Sequence, residues 1–262
     1  MSVVSLLIDD RGVANLRLTR PEKHNAMSAQ MIEELDHAAR QLANGSRARV
    51  VVLSGEGPSF CAGGDLGWMR AQMKADRATR KSEALKLAEM LNRLNRLPQP
   101  VIGRVHGNAF GGGVGLISVG DVAYATRTPL FGLTETRLGL IPATIGPYVV
   151  ARIGEANARR FFMSAQRFDA STAEALGLLA GVADSVEALD ALIESDVQAY
   201  LKCAPKAVAE AKMLALALGR AAKPEDIEAS INALVTRWED DEAAEGIAAF
   251  FEKRAPNWDN SP

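Results

Sequence analysis

The stretch Val105-His-Gly-Asn-Ala-Phe-Gly-Gly-Gly-Val-Gly-Leu116 holds the first residues whose types and spacing point to chemistry. Gly111, Gly112 and Gly113 stand in a row, with Gly107 before them and Gly115 after. An apolar run, Val101 to Val105, leads in and reads as a buried strand; Leu116-Ile-Ser-Val119 leads out and reads as a helix. Each such glycine costs about 1 kcal/mol relative to alanine. The chain therefore needs the bare backbone. A tight packed turn explains one or two glycines. Three in a row fit better a helix N-terminus whose N–H groups face an atom carrying negative charge. A second glycine turn, Ser59-Phe-Cys-Ala-Gly-Gly-Asp-Leu66, follows another buried run, Val50 to Leu53. Two such turns suggest two N–H donors converging on one oxygen, a preorganised oxyanion hole that adds no formal charge.

Rival motifs are absent. No G-x-x-x-x-G-K-[ST] or G-x-G-x-x-G surrounds these glycines. Ser118 is not in a nucleophile elbow, because Leu116 stands where the first glycine is needed. His24, His37 and His106 have no metal-ligand spacing, so no metal is expected. His106 reads as a packing or orienting residue rather than a base.

The elements that must position these turns can be read along the chain. Val3 to Ile8 and Val13 to Leu18 form a hairpin around Asp9-Asp10-Arg11-Gly12. Ser28 caps a helix to Asn44 with Met31, Ile32, Leu35, Ala38, Ala39 and Leu42 on one face. One long helix is expected from about Gly67 to Leu97, stopped by Pro98 and Pro100. Short strands at Val122 to Ala125 and Leu130 to Gly132 precede a polar turn, Thr134-Glu-Thr-Arg137, and an irregular Leu138 to Pro147. Helices follow at about Tyr148 to Ile153 and Glu155 to Ser164; Ser171 with Glu174 spells a capping box. Val182 to Val186 is strand-like. Four helical segments then run to Cys203, from Lys206 to Leu218, from Glu225 to Trp238 and from Asp240 to Arg254. The expected organisation is an α/β body over 1–190, carrying the site, and an all-helical oligomerisation region over 191–262.

Composition sets the class. At 262 residues, 48% hydrophobic and 24% charged, the chain has an ordinary globular balance. A net charge of −2 argues against a dedicated nucleic-acid binder. Cys61 and Cys203 make no disulfide framework, which points to a reducing compartment. No secretory signal and no apolar run of membrane-spanning length is visible. A cytoplasmic protein without membrane contact is expected.

Several strings, taken together, resemble the enoyl-CoA hydratase/isomerase (crotonase) family. They are Arg20-Pro-Glu-Lys-His-Asn-Ala26, Phe60-Cys-Ala-Gly-Gly-Asp-Leu66, Gly107-Asn-Ala-Phe-Gly-Gly-Gly113, Phe131-Gly-Leu-Thr-Glu135, Leu138-Gly-Leu-Ile-Pro142 and Phe250-Phe-Glu-Lys-Arg254. They stand in the family's order and spacing over essentially the whole chain. The resemblance implies a crotonase-like α/β fold, a spiral of repeated β-β-α turns with a C-terminal helical trimerisation region, assembled as a trimer or hexamer. It implies that the backbone N–H groups of Gly64 and Gly112 hold a thioester oxygen as it becomes an enolate. Lys23, His24, Ala26, Ala62, Asp65 and Leu66 stand where the family lines CoA, and Trp68 and Met69 where it borders the acyl pocket. Phe250 and Lys253 stand where a neighbouring subunit contributes to CoA binding. CoA belongs to the substrate, so no separate cofactor is implied.

The family's hydratases position one water with two glutamates. Glu135 stands at the second position, while Gly115 leaves the other acid position vacant. Held among Phe131, Leu133, Leu138 and Ile141, the Glu135 carboxyl is expected to resist ionisation and to exchange protons near neutral pH. The longer strings Leu133 to Val150 and Phe110 to Leu116, with Asp65-Leu-Gly-Trp-Met69, are similar to bacterial methylglutaconyl-CoA hydratases of leucine breakdown. That implies hydration of a branched or carboxylated enoyl-CoA, with the substrate's own carboxylate, Asn108 or Thr144 helping to hold the water. A single glutamate also resembles the family's Δ3,Δ2-enoyl-CoA isomerases, the alternative reading. Two remoter readings are a non-catalytic CoA-binding protein and an RNA binder. The second rests on Trp68 to Leu97, which carries eight Lys/Arg against three acids.

Overall fold

A computed structural model describes residues 2–219 and 224–256. The chain opens with an antiparallel hairpin, β1 (Val4–Ile8) and β2 (Val13–Leu18), in register from Val4↔Leu18 to Ile8↔Ala14. α1 (Ala29–Ala43) is capped by Ser28, whose hydroxyl accepts the Met31 N–H at 3.2 Å. Its buried face is Met31, Ile32, Leu35, Ala38, Ala39 and Leu42, as the 3.6-residue period requires.

Three turns of one plan follow. The first is β3 (Val50–Gly55) and β4 (Ser59–Cys61), then α2 (Leu66–Lys74) and α3 (Arg77–Asn95). The second is β5 (Val101–Val105) and β6 (Asn108–Phe110), then α4 (Gly112–Val119). The third is β7 (Val122–Thr126) and β8 (Leu130–Gly132), then a 3-10 turn at Glu135–Leu138, α5 (Gly146–Ile153) and α6 (Glu155–Ser164). β9 (Arg167–Asp169), α7 (Ala170–Ala175) and β10 (Gly181–Ala183) close the body. α8 (Val186–Leu201), α9 (Pro205–Leu218), α10 (Pro224–Trp238) and α11 (Asp241–Glu252) complete the described chain.

In each turn the first strand joins a six-stranded sheet, β1-β2-β3-β5-β7-β10, and the second a four-stranded sheet, β4-β6-β8-β9. β3, β5 and β7 are parallel neighbours, and so are β4, β6 and β8. Parallel stacking puts the segments after β4, β6 and β8 side by side at one edge, and those segments are the two glycine turns and the Glu135 turn. This is the spiral of repeated β-β-α units with a helical C-terminal region. The core beneath them includes the fully buried Met31, Leu35, Leu53, Phe60, Leu91 and Phe131.

Several expectations are corrected. The long helix is two, because the Asp76 carboxylate accepts the Thr79 N–H at 2.8 Å and starts α3 afresh. α7 is capped by Asp169, which accepts the Thr172 N–H at 2.8 Å, and not by Ser171. α4 begins at Gly112, not Leu116, and takes in two of the three glycines. β10 ends at Ala183, and Val186 starts α8. Residue 190 lies inside α8, whose Leu189, Ile193 and Val197 pack on Val13, Val50 and Ile102 of the large sheet. Residues 220–223 and 257–262 of the expected helical region lie outside the described residues.

Candidate active site

Two left-handed glycines shape the turns. Gly63 has φ +93° after β4, and Gly111 has φ +48° after β6, backbone that side chains rarely adopt. The turns touch: a Cβ on Gly63 would lie 3.0 Å from the Phe110 carbonyl oxygen and 3.8 Å from Gly111 Cα. The first turn is tied to the polar loop before α1. Ala62 N–H donates to His24 O at 2.9 Å, Met27 N–H to Gly63 O at 2.7 Å, and Asp65 N–H to Met27 O at 3.0 Å. The second is tied to β8 by Gly111 N–H donating to Gly132 O at 2.8 Å. Among the described residues, the Gly64 and Gly112 N–H groups find no acceptor. Gly112 is the first residue of α4, so no carbonyl of its own helix lies in reach. Both glycines line one cavity of about 420 Å³.

Glu135 opens the 3-10 turn that follows β8 and lines the same cavity. A Cβ on Gly111 would lie 2.9 Å from its Oε1, so the carboxyl sits over the second glycine turn. Its Oε2 is sealed from solvent without a hydrogen-bond partner. Burial pushes the carboxyl up to about 7, opposed by its own backbone N–H. An acid that burial raises towards neutrality, beside two open N–H donors in a largely apolar cavity, is arranged to move a proton next to a developing oxyanion.

The other acid position is not open space. Gly115 lies in α4, and a Cβ there would overlap Ile145 Cγ2 and come within 2.9 Å of Ile145 Cβ. Ile145 is buried and lines the cavity, so hydrocarbon stands where a second carboxyl would be.

A sequence model of the enoyl-CoA hydratase/isomerase family matches residues 9–261. The chain belongs to the enoyl-CoA hydratase/isomerase family. It is 33% identical over 251 residues to a putative enoyl-CoA hydratase/isomerase, YhaR, of Bacillus subtilis, covering 94% of this chain and 95% of that one. The crystal structure of an enoyl-CoA hydratase from Shewanella pealeana is 36% identical, with a TM-score of 0.80 over 98% of this chain and 96% of its own. A putative enoyl-CoA hydratase from Mycobacterium avium paratuberculosis superposes with a TM-score of 0.87 at 31% identity, over 98% and 99% of the two chains. The protein is an enzyme of this hydratase/isomerase type, working on acyl-CoA.

Within that family frame, the cavity gathers Ala62, Gly64, Leu66, Trp68, Met69, Gly112, Glu135 and Phe250 from the residues singled out in the sequence. Lys23, His24, Ala26, Asp65 and Lys253 do not line it. Lys23 and His24 are exposed on the loop that holds the first glycine turn, and His24 Nδ1 lies 3.0 Å from Ser59 Oγ. The Asp65 carboxylate has structural partners. It accepts the Trp68 N–H at 3.0 Å, capping α2, and pairs with Arg20 at 2.8 Å. Burial opposes its charge, but these partners outweigh it and hold the carboxyl below the usual range.

Phe250, expected to reach a neighbouring subunit's CoA, lines the cavity of its own chain. Gly139 makes this possible. At φ +70° it lets α11 settle on the Glu135 turn, where a Cβ would lie 2.6 Å from the Glu242 carbonyl carbon. Lys253 is exposed at the end of α11. Asn108 is also elsewhere, its Oδ1 accepting the Leu130 N–H at 2.8 Å, while Thr144 lines the cavity.

Sequence reasoning missed Met27, Leu234, Trp238, Arg137 and Arg167, which all line the cavity. It also missed Asn25, which is buried and left-handed. Its side chain accepts the Arg20 N–H and donates to the Glu56 and Ser59 carbonyls, each at 2.9 Å. Asparagine's tolerance of that backbone was the available signal. Half of the eight basic residues behind the RNA reading are paired with acids: Arg77 with Glu239, Lys81 with Glu228, Lys86 with Glu83 and Arg93 with Asp36. Among the described residues no cluster of His, Cys, Asp or Glu could hold a metal, and no helix is long and apolar enough to cross a membrane.

Proposed function

We propose that this enzyme adds water across the α,β double bond of a branched or carboxylated enoyl-CoA, with 3-methylglutaconyl-CoA as the candidate substrate. The observation that carries the reading is the Glu135 carboxyl, buried with a pKa near 7, over the junction of two glycine turns whose free N–H groups open into the same cavity.

The thioester oxygen accepts the Gly64 and Gly112 N–H groups. Ionised Glu135 takes a proton from water as the water oxygen bonds to Cβ. The double-bond electrons move toward the thioester, and the resulting enolate oxygen is held by the two N–H groups, each worth about 2.7–4 kcal/mol in such sites. Glu135, now protonated, returns the proton to Cα and the thioester carbonyl re-forms. One carboxyl near neutrality serves as base and then acid, a proton-transfer contribution of about 10²–10⁴ in rate.

Self-association in threes belongs to the same proposal, and α9 supports it: apart from Lys212, this helix leaves its side chains exposed or half-buried on its own chain. The second reading, Δ3,Δ2-enoyl-CoA isomerisation, is favoured by Ile145, which leaves one acid and no second carboxyl for a water. Turnover of 3-methylglutaconyl-CoA, crotonyl-CoA and a 3-enoyl-CoA in oxygen-18 water separates them. Label in a 3-hydroxyacyl product is expected. Conversion of the 3-enoyl ester alone, without label, overturns hydration in favour of isomerisation, and no turnover of any ester overturns both.

A further inference from the structure

We infer that Arg137 and Arg167 form an anion subsite in the active-site cavity that takes the carboxylate at the far end of a dicarboxylic acyl group. The inference rests on the reading of the cavity as an acyl-CoA site.

The cavity is lined by apolar and neutral residues apart from Glu135, Arg137 and Arg167. Neither arginine has an acidic partner among the described residues. Arginines lining a groove elsewhere in this chain behave otherwise. Between the large sheet and α8, Arg11 pairs with Glu194 at 2.6 Å, Arg17 with Glu56 at 3.5 Å and Arg104 with Asp190 at 2.6 Å. Both residues are exposed to solvent as well as lining the cavity, so they offer an entering ligand two guanidiniums without a counter-charge, and a guanidinium's planar fork matches a carboxylate.

The two residues reach the cavity from opposite ends of the Glu135 segment. Arg167 stands on β9 opposite Gly132, and its guanidinium lies 5.1 Å from the centre of the Phe110 ring, which lines the cavity too. Arg137 follows Glu135 by two residues in a 3-10 turn, which points it away from the carboxyl. A guanidinium at ion-pair distance would pull the Glu135 carboxyl down strongly. Neither guanidinium is ion-paired with Glu135 among the described residues, and one oxygen of that carboxyl is sealed without a partner. An acyl group whose thioester sits at Gly64 and Gly112, with its Cα and Cβ at Glu135, extends its far end into the rest of the cavity that these arginines help to line.

A CoA phosphate offers the same anion chemistry, and the test separates the two sources. Glutaryl-CoA, butyryl-CoA and free CoA lack the reacting double bond and can be titrated calorimetrically into the wild-type enzyme, Arg137→Gln, Arg167→Gln and Arg167→Lys. The wild type is expected to prefer glutaryl-CoA over butyryl-CoA by about tenfold or more, the strength of a hydrogen bond to a charged group. Each Gln variant should bring that ratio close to one, and Arg167→Lys should restore part of it. An equal fall in affinity for all three ligands would assign the arginines to the CoA phosphates and overturn the inference. So would a wild type without preference, or Gln variants that keep it. If the preference is present and lost as expected, yet no enoyl-CoA ester is turned over, the subsite stands and the hydratase reading falls.

Discussion

Ile145 packs against the bare backbone of Gly115, and its Cγ2 occupies the space that any side chain at 115 would need. The missing second acid is thus a matched pair of residues rather than a hole. Gly115→Glu alone is expected to overpack the wall and lower stability by about 1–3 kcal/mol or more. Gly115→Glu combined with Ile145→Gly removes the overlap and should raise crotonyl-CoA hydration above wild type. Thermal unfolding of the single and double variants, with hydration rates alongside, checks this. A single variant as stable as wild type contradicts the packing argument.

Glu135 sets the pH behaviour. Its carboxyl is raised from 4.5 to about 7 in the fold, so the native state holds a proton that the unfolded chain has lost between those values. The associated stability is fully present below about pH 4.5 and is lost as pH rises through about 7. Glu135→Gln should match wild type near pH 5 and exceed it near pH 8.5, by up to about 3 kcal/mol. Hydration needs the ionised form first, so kcat/KM should rise through about pH 7 and level off, and the Gln variant should lack that limb. A bell-shaped wild-type profile would point to a second titrating group and sink the one-acid mechanism.

Gly64 separates a donor from a turn. Its N–H is not used by the Met27↔Gly64 bridge, whose bonds run from Met27 N–H and Asp65 N–H. Gly64→Pro deletes that N–H and should lower kcat by about 10²–10³. Gly64→Ala keeps it, and the added methyl meets Met69 Sδ at 3.6 Å, an ordinary contact. The alanine variant should therefore lose far less. Equal losses in two folded variants, judged by circular dichroism, would show that space rather than the donor matters.

What was legible in the sequence was local. Ser28 and the apolar face of α1 follow from capping and period, and the glycine turns announce themselves by composition. Glu135 was found through the family strings and its apolar flanks. What was not legible depends on segments far apart in the chain. Ile145 meets Gly115, Arg167 meets Phe110, and Gly139 admits Glu242, all through packing that no local pattern encodes. β4 and β6 are three residues each, too short to show alternation, and in the sequence they run straight into the glycine motifs. The break at Asp76 was hidden because an aspartate inside a basic helix looks like one more surface charge. Its hydrogen bond to the Thr79 N–H makes it a start signal.

α9 carries the prediction about assembly. Leu214 and Leu218 are 59% and 79% exposed, and the helix is anchored mainly at Lys212, which donates to Asp121 at 2.7 Å and to the Gln99 carbonyl at 3.2 Å. A 14-residue helix with apolar residues in water is marginal unless something covers it. A second copy of this chain is the cover consistent with assembly in threes. Leu214→Glu with Leu218→Glu should therefore shift the mass measured by light scattering from a multiple of three towards the monomer. Because Phe250, Leu234 and Trp238 wall the cavity from the same chain, the dissociated variant should still bind an acyl-CoA. Loss of binding together with assembly, in a folded variant, would show instead that a neighbouring copy completes the site.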